Sequence, residues 1–484
     1  SIELPIGITN IEEGTFYKCS SLTNVKLPED VTSIGYVAFN ECHNLTSIEI
    51  PTSVKSIGKR AFYDCSNLSG SLVLPNVESI GDSAFYSCSS LERLELGASV
   101  ISIEERAFYN CSNLSGSLLL SGVESIGEYA FYQCSNLEEL GLGASVKNIG
   151  KNAFYNCSNL KGNLLMSGVE SIGAYAFCGC NNLERLELGS SVISIGRNAF
   201  VNCSNLKGTL LLSNVKSIGM HAFSDCSSLE KLELGESVTT IGEYAFWHCN
   251  NLKGSLLLSN IENIEMHTFN GCSSLEYIEL GENVISIGDG AFTGCNNLSG
   301  RLLLSDVQSI GIGAFANCSN LEYIELNENV TSIGTNAFGG CSNLSGSISL
   351  QKLESIGNSM FRGCSSLEHI ELGEMITSIG REAFYDCSSL TSIKLPSAVT
   401  IIEDFTFSGC SSLVSIEIPT GLTNIGQYAF QSCSNLTSIE LSENVTTIGE
   451  KAFHLCTKLS IIAPKGSYAE TYANNNAITY VPKE

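Results

Sequence analysis

Apolar residues recur along this chain in fixed columns. A phenylalanine falls at every twenty-third position from Phe16 to Phe453. A cysteine follows each by three residues, from Cys19 to Cys456, and a leucine follows each cysteine by three, from Leu22 to Leu459. Val, Ile or Leu comes twelve residues after the cysteine and Ile fifteen after, as at Val100 and Ile103. The unit reads L-x-x-I-x-L-x-x-x-V-x-x-I-G-x-x-A-F-x-x-C, and its 23-residue interval never changes. A fixed period of this size marks a solenoid or an array.

The I-x-L piece alternates apolar and polar and is bounded by turn residues, as in SIEIPTS at 47–53, which predicts a short half-buried strand. V-x-x-I-G predicts a second short extended segment or turn. A-F-x-x-C is too short to hold a helix alone and predicts a single helical or 3₁₀ turn. One unit cannot bury its own Phe, Cys, Leu, Val and Ile; stacked units can. Equivalent strands then lie about 4.8 Å apart in one long parallel sheet, joined by right-handed crossovers. Twenty such steps make a curved rod of roughly 100 Å. The expectation is a repeat solenoid of α/β type over residues 1–463, with short strands and short helical or 3₁₀ turns.

Residues 464–484 break the period. Ser467 and Glu470 form an S-x-x-E capping box, which predicts a short helix from about Tyr468 to Asn474, then a strand AITYV. This segment reads as a C-terminal cap. At the other end the chain opens at Ser1 in mid-repeat, as a segment of a longer protein would, with signal and anchor lying elsewhere.

Charge narrows the partners. Fifty acids against 25 bases give a net charge of −25, which argues against nucleic acid and against electrostatic attachment to anionic membranes. No run of about 20 apolar residues is present to span a bilayer. The 21 cysteines invite a disulfide reading, but their spacing opposes it. Equivalent residues of stacked repeats point their Cα–Cβ bonds in parallel, leaving the Cβ atoms farther apart than the usual ~3.8 Å of a bridge. The column reads as buried free thiols acting as small hydrophobes, with Cys178, off the column, as the accessible one. Metal binding finds no support: there is no C-x-x-C, and the six histidines keep no fixed spacing to the cysteines. No cofactor motif occurs.

The signature I-G-x-x-A-F-x-x-C-x-x-L, as at 241–252, resembles the BspA-type leucine-rich repeats, in copies covering nearly the whole chain. The resemblance departs from the commonest leucine-rich pattern: after Leu91, Leu94 and Leu96 the expected Asn or Cys is Ser99. It implies a right-handed solenoid with the I-x-L strands on the concave face. It also implies display on a cell surface or secretion, in an anaerobic gut bacterium. The implied role is adhesion to a host extracellular-matrix or cell-surface protein, or to another surface protein.

Function in such an array rests on positions free to vary. From about 65 to 386 the repeats alternate in paired 46-residue units, SLERLELGASV at 90–100 against NLSGSLLLSGV at 113–123. The second type adds a glycine before the strand (Gly70, Gly116 and their equivalents), which predicts a bulge. The outward residue of each strand then reads Glu95, Leu119, Gly141, Leu165, Glu187, Leu211, Glu233, Leu257, Glu279, Leu303, Glu325, Ser349, Glu371. Interleaved Leu separates carboxylates that would repel on adjacent strands; the same strip is a candidate contact patch. Arg93, Arg185, Lys231, Tyr277, Tyr323 and His369 lie just before it. A second stripe, Tyr63, Tyr86, Tyr109, Tyr132, Tyr155 and Trp247, follows the Phe column by one residue. It reads either as packing between repeats or as a ledge that stacks sugars.

The glycine after Ile becomes Glu at Glu12, Glu104, Glu265 and Glu403, and in three of these the Ala before Phe becomes Thr. A position that strictly needed positive φ would not accept Glu. No nucleophile, base and orienting group converge by sequence, so the reading is non-catalytic. It leaves a binding module, a rigid spacer displaying another domain, or a carbohydrate binder.

Overall fold

The structure, a computed structural model, describes residues 1–483 and divides into two compact units, Ser1–Leu252 and Lys253–Glu484. Within each, every repeat contributes three backbone ladders to its neighbours. The first is the predicted I-x-L strand, always parallel to the next. In the paired region its regular hydrogen bonding is grouped two by two. Gly162–Met166 pairs with Leu183–Leu188, and Gly208–Leu212 with Leu229–Leu234. The register slips by one residue at Gly162 and at Gly208, so the added glycine does make a bulge. These glycines have φ of 76° and 80° and open space where a Cβ would stand. They are required for their backbone angle, not for room.

The second ladder is the two-residue segment ending in the Ile column. In the first unit it forms one 11-stranded parallel sheet, from Asn10–Ile11 to Thr240–Ile241. The glycine after that Ile has ordinary φ, as the Glu replacements imply. It is selected for closeness: a Cβ on Gly58 would lie 2.8 Å from the carbonyl carbon of Gly35 in the repeat before. Where Glu104 takes the place, its amide reaches the Ile80 carbonyl at 3.0 Å, against 2.7 Å at Gly127. The accompanying Thr has a simple cause. Buried Thr268 and Thr406 each donate a hydroxyl hydrogen bond, 2.7 Å, to the carbonyl of the Glu three residues back.

The third ladder runs through A-F-x-x-C, where a single helical or 3₁₀ turn was expected. The i→i−3 bonds of such a turn are present: Ala38 N–H donates to Gly35, Asn40 to Val37, and Cys42 to Phe39. They do not merge into a helix, because two residues of the segment, four apart, are left-handed. Val37 and Glu41 have φ of 47° and 57°, and the same two positions recur, as Arg60 and Asp64. Left-handed residues turn their N–H groups toward the next repeat. Val37 donates to Lys59, Phe39 to Ala61 and Glu41 to Tyr63, at 2.7–3.1 Å. A β-branched residue such as Val37 at positive φ costs on the order of 1–3 kcal/mol, so the ladder must hold it there.

The Phe column fills the interior beside this ladder. Phe39 to Phe246 are fully buried, and successive rings stack at 4.9–5.5 Å in the first unit, as Phe16 on Phe39 and Phe223 on Phe246. The second unit repeats this from Phe269 to Phe453. Each cysteine does more than fill space. Its thiol donates to the carbonyl oxygen of the Phe in the preceding repeat, Cys42 to Phe16 at 3.0 Å and Cys203 to Phe177 at 3.4 Å. That oxygen also accepts the amide N–H of the Cys in its own repeat. Burial pushes these thiols up, Cys134 to about 12. Cys178 is not the accessible thiol that was expected: it is 8% exposed and burial pushes it up to about 11. Cys19, in the first repeat, is only half-buried.

The helix of the last segment spans Tyr468–Asn475, with the Ser467 hydroxyl accepting from the Glu470 amide at 3.2 Å. Buried Ala469 and Ala473 seat it. A strand, Thr479–Lys483, then pairs in parallel with Ser460–Pro464.

Two outcomes follow from this core. Phe131→Ala should cost about 3–5 kcal/mol in a denaturant titration, because both of its stacking partners lose a face. The thiols predict alkaline sensitivity. Burial raises their pKa, so the folded chain holds these protons more tightly than the unfolded chain. Their contribution is full below the ordinary thiol value near 9.0 and is lost as pH rises above it. Stability in reducing buffer should fall from about pH 9 toward pH 12, by up to about 1.4 kcal/mol per pH unit for each thiol ionised only on unfolding. Cys134→Ala and Cys341→Ala should flatten that slope; an unchanged slope would assign the loss to other groups.

Candidate protein-binding face

The outward residues of the long strands form the candidate face, and the register sets which of them touch. In the first unit Val73 lies opposite Glu95, Leu119 opposite Gly141, Leu165 opposite Glu187 and Leu211 opposite Glu233. In the second, Leu257 lies opposite Glu279, Leu303 opposite Glu325 and Ser349 opposite Glu371. Each exposed leucine of a pair therefore sits beside a carboxylate, Gly141 excepted. Their exposure is high for leucine: 61% at Leu119 and 50–52% at Leu165, Leu211, Leu257 and Leu303. Flanking residues in the same strands, such as Leu210 and Leu212, are buried, so the strands are anchored while this row faces solvent. Leu119 leans over Gly141, where a Cβ would lie 2.7 Å from its methyl.

The row just before the strip differs between the units. Arg93, Arg185 and Lys231 occupy it in the first, all exposed. Lys231 Nζ lies 2.6 Å from Glu233. In the second unit it holds Tyr277 (39% exposed), Tyr323 and His369. Sequence reasoning missed Val73 and Arg301, and read Ser349 only as an outward residue without its partner. Val73 is 43% exposed opposite Glu95. Ser349 donates to Glu371 at 3.1 Å. Arg301 lies opposite Tyr323, its guanidinium 4.7 Å from the centre of that ring and 3.1 Å from Glu325. The aligned columns contain all three; only the cross-strand register shows them as neighbours.

The aromatic stripe is built differently from a ledge. Tyr63, Tyr86, Tyr109, Tyr132 and Tyr155 stack face to face at 4.6–4.8 Å, with interplanar angles of 5–8°. Ring faces within the stack are covered by the next ring, which leaves edges and hydroxyls for solvent. Trp247 stands apart from it. It lies on His248 at 3.5 Å and meets Tyr244 edge-on. Elsewhere in the first unit an open polar groove of about 710 Å³ is lined by Asn159, Asn182 and Asn205 with Lys161 and Lys207. Its lysines pair with Glu138 and Glu184 at 2.8 and 3.0 Å, and the Lys161 hydrogen bond holds the Glu138 carboxyl below its ordinary value. Among the described residues no group of three or more His, Cys, Asp or Glu is placed to hold a metal ion.

The model of the BspA type leucine rich repeat region matches this chain over residues 1–115, 78–207, 124–253, 193–306, 245–368, 285–397 and 354–479, and the chain belongs to that family. No curated protein matches it. Among solved structures it is similar to a leucine-rich repeat protein of Bacteroides ovatus, with 26% identity over 92% of each chain and a TM-score of 0.39. It is also similar to a leucine-rich repeat protein of Eubacterium ventriosum, with 22% identity over 75% of this chain and 90% of that one and a TM-score of 0.39. A leucine rich cell surface protein of Faecalibacterium prausnitzii shows 23% identity over 93% of each chain, TM-score 0.32.

The tyrosine stack predicts a stability effect. Tyr109 stacks at 4.6 Å on both Tyr86 and Tyr132, and each aromatic pair contributes about 0.5–1.5 kcal/mol beyond its buried area. Tyr109→Ala should therefore destabilise by roughly 1–3 kcal/mol in urea, while leaving any glycan binding unchanged.

Proposed function

We propose that this member of the BspA-type leucine-rich repeat family is a binding module displayed at a cell surface or secreted, which holds a partner protein against its sheet face. One observation carries the reading: the register sets half-exposed leucines beside carboxylates, pair after pair, in each unit. Solvated strands do not need leucine at such positions, and contact surfaces do. The partner would offer apolar and basic side chains, matching the leucines and the net charge of −25. A host matrix or cell-surface protein, or another surface protein, has this chemistry within reach.

We ascribe binding rather than catalysis to the chain because its polar side chains recur or scatter along the repeat instead of converging. A second reading, a rigid spacer with no ligand of its own, draws on the unbroken 23-residue period and on the backbone hydrogen bonds that link the Phe segments of successive repeats. Carbohydrate binding by the tyrosine stripe is less favoured, since the rings cover one another.

The test is a solid-phase screen at physiological salt, offering fibronectin, laminin, collagen, mucin and a glycan panel. Saturable binding of a protein, weakened about tenfold or more by Glu233→Lys with Glu279→Lys and by raised salt, supports the proposed face. Full affinity in that variant rejects it. Silence across the panel favours the spacer.

A further inference from the structure

The sheet face of the second unit contains one cation site twice, once filled and once open. In the filled copy, Arg301 lies opposite Tyr323 in the register. Its guanidinium rests 4.7 Å from the centre of the Tyr323 ring and bonds Glu325 at 3.1 Å. Ring and carboxylate come from a single strand, Leu321–Leu326, two residues apart on one side, so the strand alone presents both.

The strand Leu275–Leu280 has the same sequence, LEYIEL, with Tyr277 and Glu279 in the same places. The position opposite Tyr277 is Ser255, whereas that opposite Tyr323 is Arg301. Serine is too short to reach across. Glu279 has no ion pair among the described residues, and Tyr277 keeps 39% of its surface exposed. Leu257, beside Glu279 in the register, adds an apolar wall that is itself 51% exposed.

We infer that Tyr277 and Glu279 form a receptor for an arginine side chain of a partner protein, in the arrangement that Arg301 adopts with Tyr323 and Glu325. A planar guanidinium suits the site better than an ammonium, because it can lie on the ring while its edge N–H groups meet the carboxylate. The aliphatic stem of the incoming arginine would pass Leu257. This assignment rests on the reading of the face as a protein-binding surface and names the chemistry recognised at one point of it.

The test uses the full chain and a fluorescein-labelled peptide Gly-Pro-Arg-Pro-Gly, with twins carrying lysine or citrulline in place of arginine. The arginine peptide should bind about tenfold more tightly than the citrulline twin, and more tightly than the lysine twin. Ser255→Arg should fill the site from within and bring the arginine peptide to the citrulline level, with an unchanged melting temperature. Tyr277→Ala and Glu279→Gln should do the same. Arg301→Ser should open the second copy and add a further equivalent of bound peptide. Equal binding of arginine and citrulline peptides, no detectable binding of either, or indifference to Ser255→Arg would each overturn the assignment. The broader reading fails separately, if a partner found in the protein screen keeps full affinity for the Glu233→Lys, Glu279→Lys variant.

Discussion

The repeat depends on the backbone hydrogen bonds that leave the Phe segment for the next repeat. Three amides, at the Phe and at two residues before and after it, donate to carbonyls 22 residues ahead, as from Val37, Phe39 and Glu41. Two of the three donors are left-handed, mostly without glycine's freedom to be so. Strain of this kind persists only where the surroundings over-determine it. Here the surroundings are the same segment of the next repeat, with its Phe ring stacked on one side and its Cys thiol bonded to the Phe carbonyl. A single repeat has none of these, which is why one unit has no fold of its own.

This constraint also explains why the period never changes. Each repeat must close three ladders, so an extra residue anywhere shifts at least one of them. The chain tolerates one departure, the glycine bulge before the strand, and it removes a residue after that strand to restore register at the Val and Ile columns. The departure falls in the ladder with side chains facing solvent, not in the turn ladder around the Phe. Variation is therefore directed to the outward strand positions, where Leu, Glu, Tyr and Arg differ from repeat to repeat while the core columns do not.

Much of this was legible in the sequence. The Phe, Cys, Leu, Val and Ile columns, the strand and the glycine bulge all follow from spacing and residue type. Left-handed residues were not legible, because Val37, Arg60 and Glu41 carry no local signal for positive φ; the next repeat imposes it. The cysteine column was read correctly as thiol and buried, but not as a donor, since the acceptor is a carbonyl 26 residues back in sequence. For the candidate face the row of outward residues could be read, and the pairing across strands could not. Arg301 over Tyr323, and hence the contrast with Ser255 beside Tyr277, emerges only once the one-residue slip at Gly254 and Gly300 is known.

The most direct test of the account is amide hydrogen exchange by mass spectrometry across the Phe segments. Turns between strands normally exchange fast. If these turns form a ladder, amides such as those of Arg60, Phe62 and Asp64 should be protected as strongly as those of the Leu183–Leu188 strand. Rapid exchange of the Phe segments, with protection confined to the strands, would contradict it.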